Sequence, residues 1–180
     1  MASILIEIIR ALWFIFPAYV ANASPMLAKG VTPIDMGRNW VDGKRIFGDG
    51  KTWRGFFLGV VAGTFYGSLM WYLFPRFNEF AIVNSFSLPT ITPFIAFVMS
   101  LGALTGDLVG SFIKRRLGKK RGEEMFLFDT LNFVLGAIVF TAFFSGITLR
   151  ETVIILVMTP IIHRVTNIVA YQWRLKRVPW

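Results

Sequence analysis

A chain of 180 residues that is 55% hydrophobic and 16% charged, with mean hydropathy +0.61, is no water-soluble globule, since those carry about 25% charged residues. Its lack of cysteine excludes disulfides and thiolate chemistry, and a single histidine, His163, excludes any multi-histidine metal centre. Nineteen Lys and Arg against ten Asp and Glu, a net charge of +9, call for an anionic partner such as lipid headgroups or phosphates.

A membrane-spanning helix needs about 20 mostly apolar residues. In chain order, five segments qualify at roughly 3–23, 53–74, 93–113, 130–149 and 152–171. They predict an all-α, integral membrane bundle of five transmembrane helices, with 1–180 forming one membrane-embedded catalytic domain. In the first segment Glu7 and Arg10 stand three residues apart and are expected to neutralise each other. That segment has no basic flank before it, so it is read as a retained helix and not as a cleaved leader.

The loop after it is rich in glycine and bases, with Asp35, Asp42 and Asp49, and repeats Asp-Gly-Lys at 42–44 and 49–51. Backbone N–H groups freed by glycine, with Lys and Arg beside them, are a recipe for holding phosphates. A solvated basic loop on an anionic membrane surface is the plainer alternative. Gly50-Lys51-Thr52 matches the end of a Walker A loop, but Arg45 stands where its opening glycine belongs.

The second segment carries Gly55, Gly59, Gly63 and Gly67, and the third Gly102, Gly106 and Gly110. Such stripes let helix backbones approach closely in lipid, and close helix packing is the expected use. The third segment also holds Asp107, Ser111 and Lys114 at i, i+4 and i+7, one helical face. A carboxylate inside a membrane helix is costly and by default functional, unless a cation such as Arg10 or Arg164 simply balances it.

After the basic run 114–121, Asp129 opens the fourth segment, either as its N-cap or as an early-turn acid favoured by the helix dipole. Asn132 lies on the same face. If Asp107 and Asp129 converge, they offer two oxygen donors, which suits Mg²⁺ with its waters and substrate phosphates. In the fifth segment Pro160 precedes His163, Arg164 and Asn167. His163 is given no catalytic role, and Arg164 is open between binding a phosphate and balancing an acid.

Lys and Arg crowd the first loop, the third loop and the tail (Arg174, Lys176, Arg177), whereas the second and fourth loops hold only Arg76 and Arg150. Cytoplasmic loops carry the basic excess, which places the N-terminus outside, the C-terminus inside, and two functional loops in the cytoplasm.

Two stretches, Asp42 through Gly55 and Gly106-Asp107 through Ser111, Lys114 and Arg115 to Asp129, resemble those of the archaeal CDP-archaeol synthase family. The second is also similar to the signature of phosphatidate cytidylyltransferases. Relatives generally have Asp-x-x-Asp where this chain has Asp129-Thr-Leu-Asn132. The resemblance implies CMP transfer from CTP to an isoprenoid diether lipid phosphate (2,3-bis-O-geranylgeranyl-glycerol 1-phosphate), giving CDP-archaeol and pyrophosphate. It implies Mg²⁺ on Asp107 and Asp129, which together with Lys114 are the catalytic residues. Substrate binding would fall to Asp42, Lys44, Asp49, Lys51, Thr52, Arg54, Ser111, Arg115 and Asn132. The expected setting is the plasma membrane, with the active site at its cytoplasmic face and no nucleic-acid polymer as a partner. The alternatives are a small ion- or proton-coupled transporter and a lipid kinase.

Overall fold

The computed structural model describes residues 2–28, 30–120, 123 and 125–173. Lys29, Arg121 and the basic tail residues Arg174, Lys176 and Arg177, which enter the expected topology, lie outside the described residues. Five helices run in chain order: α1 (Ala2–Ala23), α2 (Trp53–Val83), α3 (Pro93–Arg116), α4 (Phe126–Thr141) and α5 (Leu149–Gln172). A 3-10 turn, Ser24–Leu27, follows α1. Among the described residues there is no strand, and α1, α2, α3 and α5 are long and apolar enough to cross a membrane.

The helix bounds differ from those expected in three places. The second helix continues past 74, through Pro75 and Arg76, to Val83, so Arg76 is helical and not part of a loop. The fourth begins four residues early, with Met125 as its N-cap, which makes Asp129 a first-turn acid instead of the cap. It also ends at Thr141 and not at 149, because Ser145-Gly146 interrupts the helix and Thr148 already caps α5 with a capping box to Glu151. At 16 residues it is about 24 Å long, short of the roughly 30 Å hydrocarbon core.

The first helix touches the other four. At the end of the bundle holding the α2–α3 and α4–α5 connections, Arg10 bonds Glu151 at 2.9 Å and Ser87 Oγ at 3.1 Å. Glu7 pairs with Arg150 at 3.4 Å. The expected Glu7–Arg10 pair is therefore replaced by two ion pairs that tie α1 to α5. Tyr19 and Thr159 share a hydrogen bond of 2.8 Å farther along the same interface.

Both glycine stripes are packing surfaces. A Cβ on Gly63 would sit 2.3 Å from Ser100 Oγ and 2.8 Å from the Pro17 carbonyl, so α2 lies hard against α1 and α3. The tightest crossing is α3 on α4, where a Cβ on Gly136 would come within 2.2 Å of the Gly102 carbonyl oxygen and 2.8 Å of Gly106 Cα. Those are backbone atoms, so a methyl group there forces the helices apart. Gly136→Ala is expected to cost about 1–3 kcal/mol, as overpacking does. A lowered thermal midpoint in detergent is the readout, and an unchanged midpoint contradicts this close approach.

Candidate active site

The opposite end of the bundle gathers the C-termini of α1 and α3, the N-termini of α2 and α4, and the last turns of α5. The first-loop segment 30–52 folds onto it. Its ends are joined by the Ile34 N–H to the Lys51 carbonyl at 2.8 Å and the Trp53 N–H to the Thr32 carbonyl at 3.2 Å. Trp40 meets Phe112 of α3 edge-on, with ring centroids 5.3 Å apart, and the Arg116 guanidinium covers the same ring at 4.9 Å.

Asp35 organises this loop. Its side chain is fully buried and accepts from the Gly37, Phe47 and Gly48 N–H groups at 3.1, 3.0 and 2.8 Å. Arg45 donates from Nη2 at 2.7 Å and Nε at 3.3 Å. Burial alone would raise the Asp35 pKa, but Arg45 and the three amides outweigh it and hold the carboxyl well below its ordinary 3.8. The same contact, joined by Asp49 at 2.7 Å, raises Arg45. The first bond is an Asx turn, with Met36 and Gly37 at φ 50° and 79°. In the sequence the cue to this role of Asp35 is the Asp-x-Gly spacing that signals an Asx turn.

Between loop and helices lies a cavity of about 410 Å³, within the usual range for ligand sites. Asp107, Ser111, Lys114 and Arg115 line it from α3, so the i, i+4, i+7 face does point into one space. Asp129 and Asn132 line it from α4, and Lys51 and Thr52 from the loop. Each acid is paired with a lysine. Lys51 Nζ donates to Asp107 Oδ2, and Lys114 Nζ to both Asp129 oxygens at 2.8 and 2.7 Å and to the Glu123 carbonyl at 2.7 Å. The cation facing Asp107 is thus Lys51 from the loop, not Arg10 or Arg164.

Thr52 is the N-cap of α2, its oxygen accepting from the Gly55 N–H at 3.2 Å. Asn132 is packed so closely that a Cβ on Gly110 would lie 1.8 Å from its Nδ2. His163, assigned no role from sequence, also lines the cavity, with Nδ1 3.2 Å from Asn167 Nδ2. Arg164 stacks over Phe126 at 5.7 Å.

Four of the expected binding residues stand elsewhere. Asp42 holds Arg116, and Lys44 Nζ caps the Arg116 carbonyl at 2.9 Å, together clamping the loop to the end of α3. Lys44 and Asp49 line a neighbouring pocket, and Arg54 lies outside both cavities on the first turn of α2.

Among the described residues no three acids or histidines cluster as a metal site. The two carboxylates that line the cavity are hard oxygen donors, while Asn132 Oδ1 beside them accepts from the Phe133 N–H at 2.6 Å. The carboxylates fit a divalent cation that keeps several waters and takes further oxygens from a phosphate ligand.

A family model described as CDP-archaeol synthase (CarS-like) matches residues 3–180. A CDP-archaeol synthase of Pyrococcus abyssi is 45% identical over 173 residues, 96% of this chain and 98% of that one. One from Thermococcus gammatolerans is 49% identical over 170 residues, 94% and 95% of the two chains. A solved structure, described as an intramembrane enzyme for archaeal membrane lipids biosynthesis, superposes with a TM-score of 0.74 at 36% identity. It covers 89% of this chain and 94% of its own. With membrane-length helices, a two-carboxylate cavity and near-complete matches, the chain belongs to the CDP-archaeol synthase family of intramembrane enzymes.

Proposed function

We propose that the chain transfers CMP from CTP to the phosphate of an unsaturated isoprenoid diether lipid, giving CDP-archaeol and pyrophosphate in membrane phospholipid synthesis. The observation that carries this is the meeting of two Asp–Lys pairs, Asp107 with Lys51 and Asp129 with Lys114, in one cavity at a helix-bundle end. The reaction brings together two anions. A lipid phosphate oxygen forms a bond to the α-phosphorus of CTP as the bond from that phosphorus to the bridging oxygen of the β-phosphate breaks. Pyrophosphate takes the electron pair. A phosphate nucleophile is already ionised near neutral pH, so no general base is needed.

The protein's task is to screen like charges and hold the partners in line. Lys51 and Arg115 line the cavity from opposite elements and meet the triphosphate, while Lys114 faces the phosphoryl group being transferred. Asp107 and Asp129 would hold Mg²⁺, and Asn132 would add a neutral oxygen on turning its Oδ1 from the Phe133 N–H. Mg²⁺ bound there would neutralise phosphate oxygens and draw charge from the leaving pyrophosphate. Each lysine then exchanges its carboxylate for a phosphate, so the resting ion pairs keep half-buried charges balanced until substrate arrives.

The basic loops support placing this end in the cytoplasm, with the N-terminus outside and the chain in the plasma membrane. The whole of 1–180 acts as one catalytic unit, and the lipid tails lie between helices, open to the bilayer.

The test is pyrophosphate release from CTP by detergent-purified protein, with Mg²⁺ and the diether phosphate. Release that requires both lipid and CTP is expected. Nucleoside diphosphate release would point instead to a lipid kinase, and no release with any nucleotide from folded protein would refute the proposal.

A further inference from the structure

A second pocket, about 360 Å³, opens between the first loop and the end of α3. Its wall carries Lys44, Arg45, Arg115, Lys119 and Lys120 against one carboxylate, Asp49, which Arg45 already pairs at 2.7 Å. Such an excess focuses an anion-attracting field. The pocket borders the candidate active site directly. Arg115 lines both cavities, and the consecutive residues Phe47 and Gly48 line the first and the second.

The partition is held in place. Arg115 Nε donates to the Phe47 carbonyl at 3.2 Å, and its Nη1 donates to the Lys119 carbonyl. Gly48, at φ 95°, lies so close that a Cβ there would be 3.3 Å from Arg115 Nε. The guanidinium therefore stands in a wall one residue thick, flanked by cations on its far side. Among the described residues the Lys119 ammonium is held by an exposed pair with Glu123 at 3.5 Å, a contact that exchanges readily for a stronger anion.

We propose that this pocket is a second site for a phosphate-dense anion, filled by pyrophosphate as it leaves the active site past Arg115. The inference rests on the CMP-transfer reading for the source of the anion, but the pocket's charge and shape do not depend on it. Pyrophosphate and an anionic lipid headgroup share the chemistry the pocket recognises, and the product is favoured because the active site adjoins. A site here lets pyrophosphate clear the two carboxylates before the next CTP enters.

The experiment titrates pyrophosphate calorimetrically into the detergent-solubilised full chain, with and without a saturating non-hydrolysable CTP analogue. With the analogue bound, one pyrophosphate is expected to bind per chain. In Lys119→Gln/Lys120→Gln that event should weaken about tenfold, as losing two partly exposed charge contacts does, and should fade with added salt. The KM for CTP should stay within about twofold in the same variant, since neither lysine lines the larger cavity. Nanodiscs of anionic and of zwitterionic lipid form the second arm. If anionic lipid alone abolishes pyrophosphate binding, a headgroup is the occupant and the product assignment is overturned. Pyrophosphate binding excluded by the analogue, or unaffected by the double variant, overturns the site itself. Failure of the analogue to bind counts against the CMP-transfer reading, while the double variant titrated alone still decides the pocket.

Discussion

Asp107→Asn is expected to lower pyrophosphate release from CTP about a thousandfold while the protein stays folded, the scale of losing one charge-stabilising group in a shielded site. Asparagine keeps the size of the side chain on α3, so neither the helix nor the Gly102–Gly110 packing against α4 is disturbed. What changes is charge. The variant keeps one oxygen able to meet a cation but loses the negative charge, and it leaves Lys51 with no counter-ion. Lys51 comes from a loop and its side chain is 28% exposed, so it can turn to water, and the stability cost stays small. The loss should therefore fall on kcat, with KM for CTP changing far less, because Lys51 is still present to meet the triphosphate. Lys51→Met should do the reverse, raising KM more than it lowers kcat. If Asp107→Asn retains activity within about tenfold of wild type, Asp107 is a structural partner of Lys51 and the metal assignment fails.

What could be read from sequence follows from how local each signal is. The face bearing Asp107, Ser111 and Lys114 was legible because one helix sets it by period alone, and all three side chains line the cavity. The glycine stripes were legible for the same reason. Which groups meet across elements was not. Glu7 and Arg10 are near neighbours in sequence, yet each pairs with α5, since a long-range partner satisfies a charge at the bundle end equally well. The two Asp-Gly-Lys triplets look alike in sequence and diverge in use. Lys51 enters the larger cavity, whereas Asp42 and Lys44 clamp the loop to the end of α3. Nothing local distinguishes them, because the choice is made by how the loop folds on α3. Asp35 was hidden for the same reason: apart from Gly37, its partners lie 10 to 13 residues ahead.

That hidden residue carries the second large expected effect. Asp35→Ala should disorder the first loop and reduce CTP turnover about a hundredfold, although Asp35 lines neither cavity. Removing the carboxylate strands the Phe47 and Gly48 N–H groups and leaves Arg45 with only the exposed Asp49. Breaking a buried pair by deleting one partner costs about 3–5 kcal/mol, and the lower end applies here because Arg45 keeps some solvent contact. Phe47 and Gly48 are also the partition against Arg115, and Lys51 follows three residues later, so the loss moves the cation that faces Asp107. A positioning role predicts a higher KM for CTP together with a lower kcat. It also predicts partial rescue by Asp35→Asn, which retains an oxygen acceptor for the amides but not the charge facing Arg45. The pH dependence has a fixed sign. Folding lowers the carboxyl's pKa below 3.8, so its stabilisation is complete above that value and is lost only as the pH falls through the lower folded value. Amide exchange at Phe47 and Gly48 should therefore stay slow down to the ordinary carboxylate range in wild type, and be fast at neutral pH in Asp35→Ala. Slow exchange at both amides in the alanine variant would mean that Arg45, Trp40 and Arg116 hold the loop without Asp35.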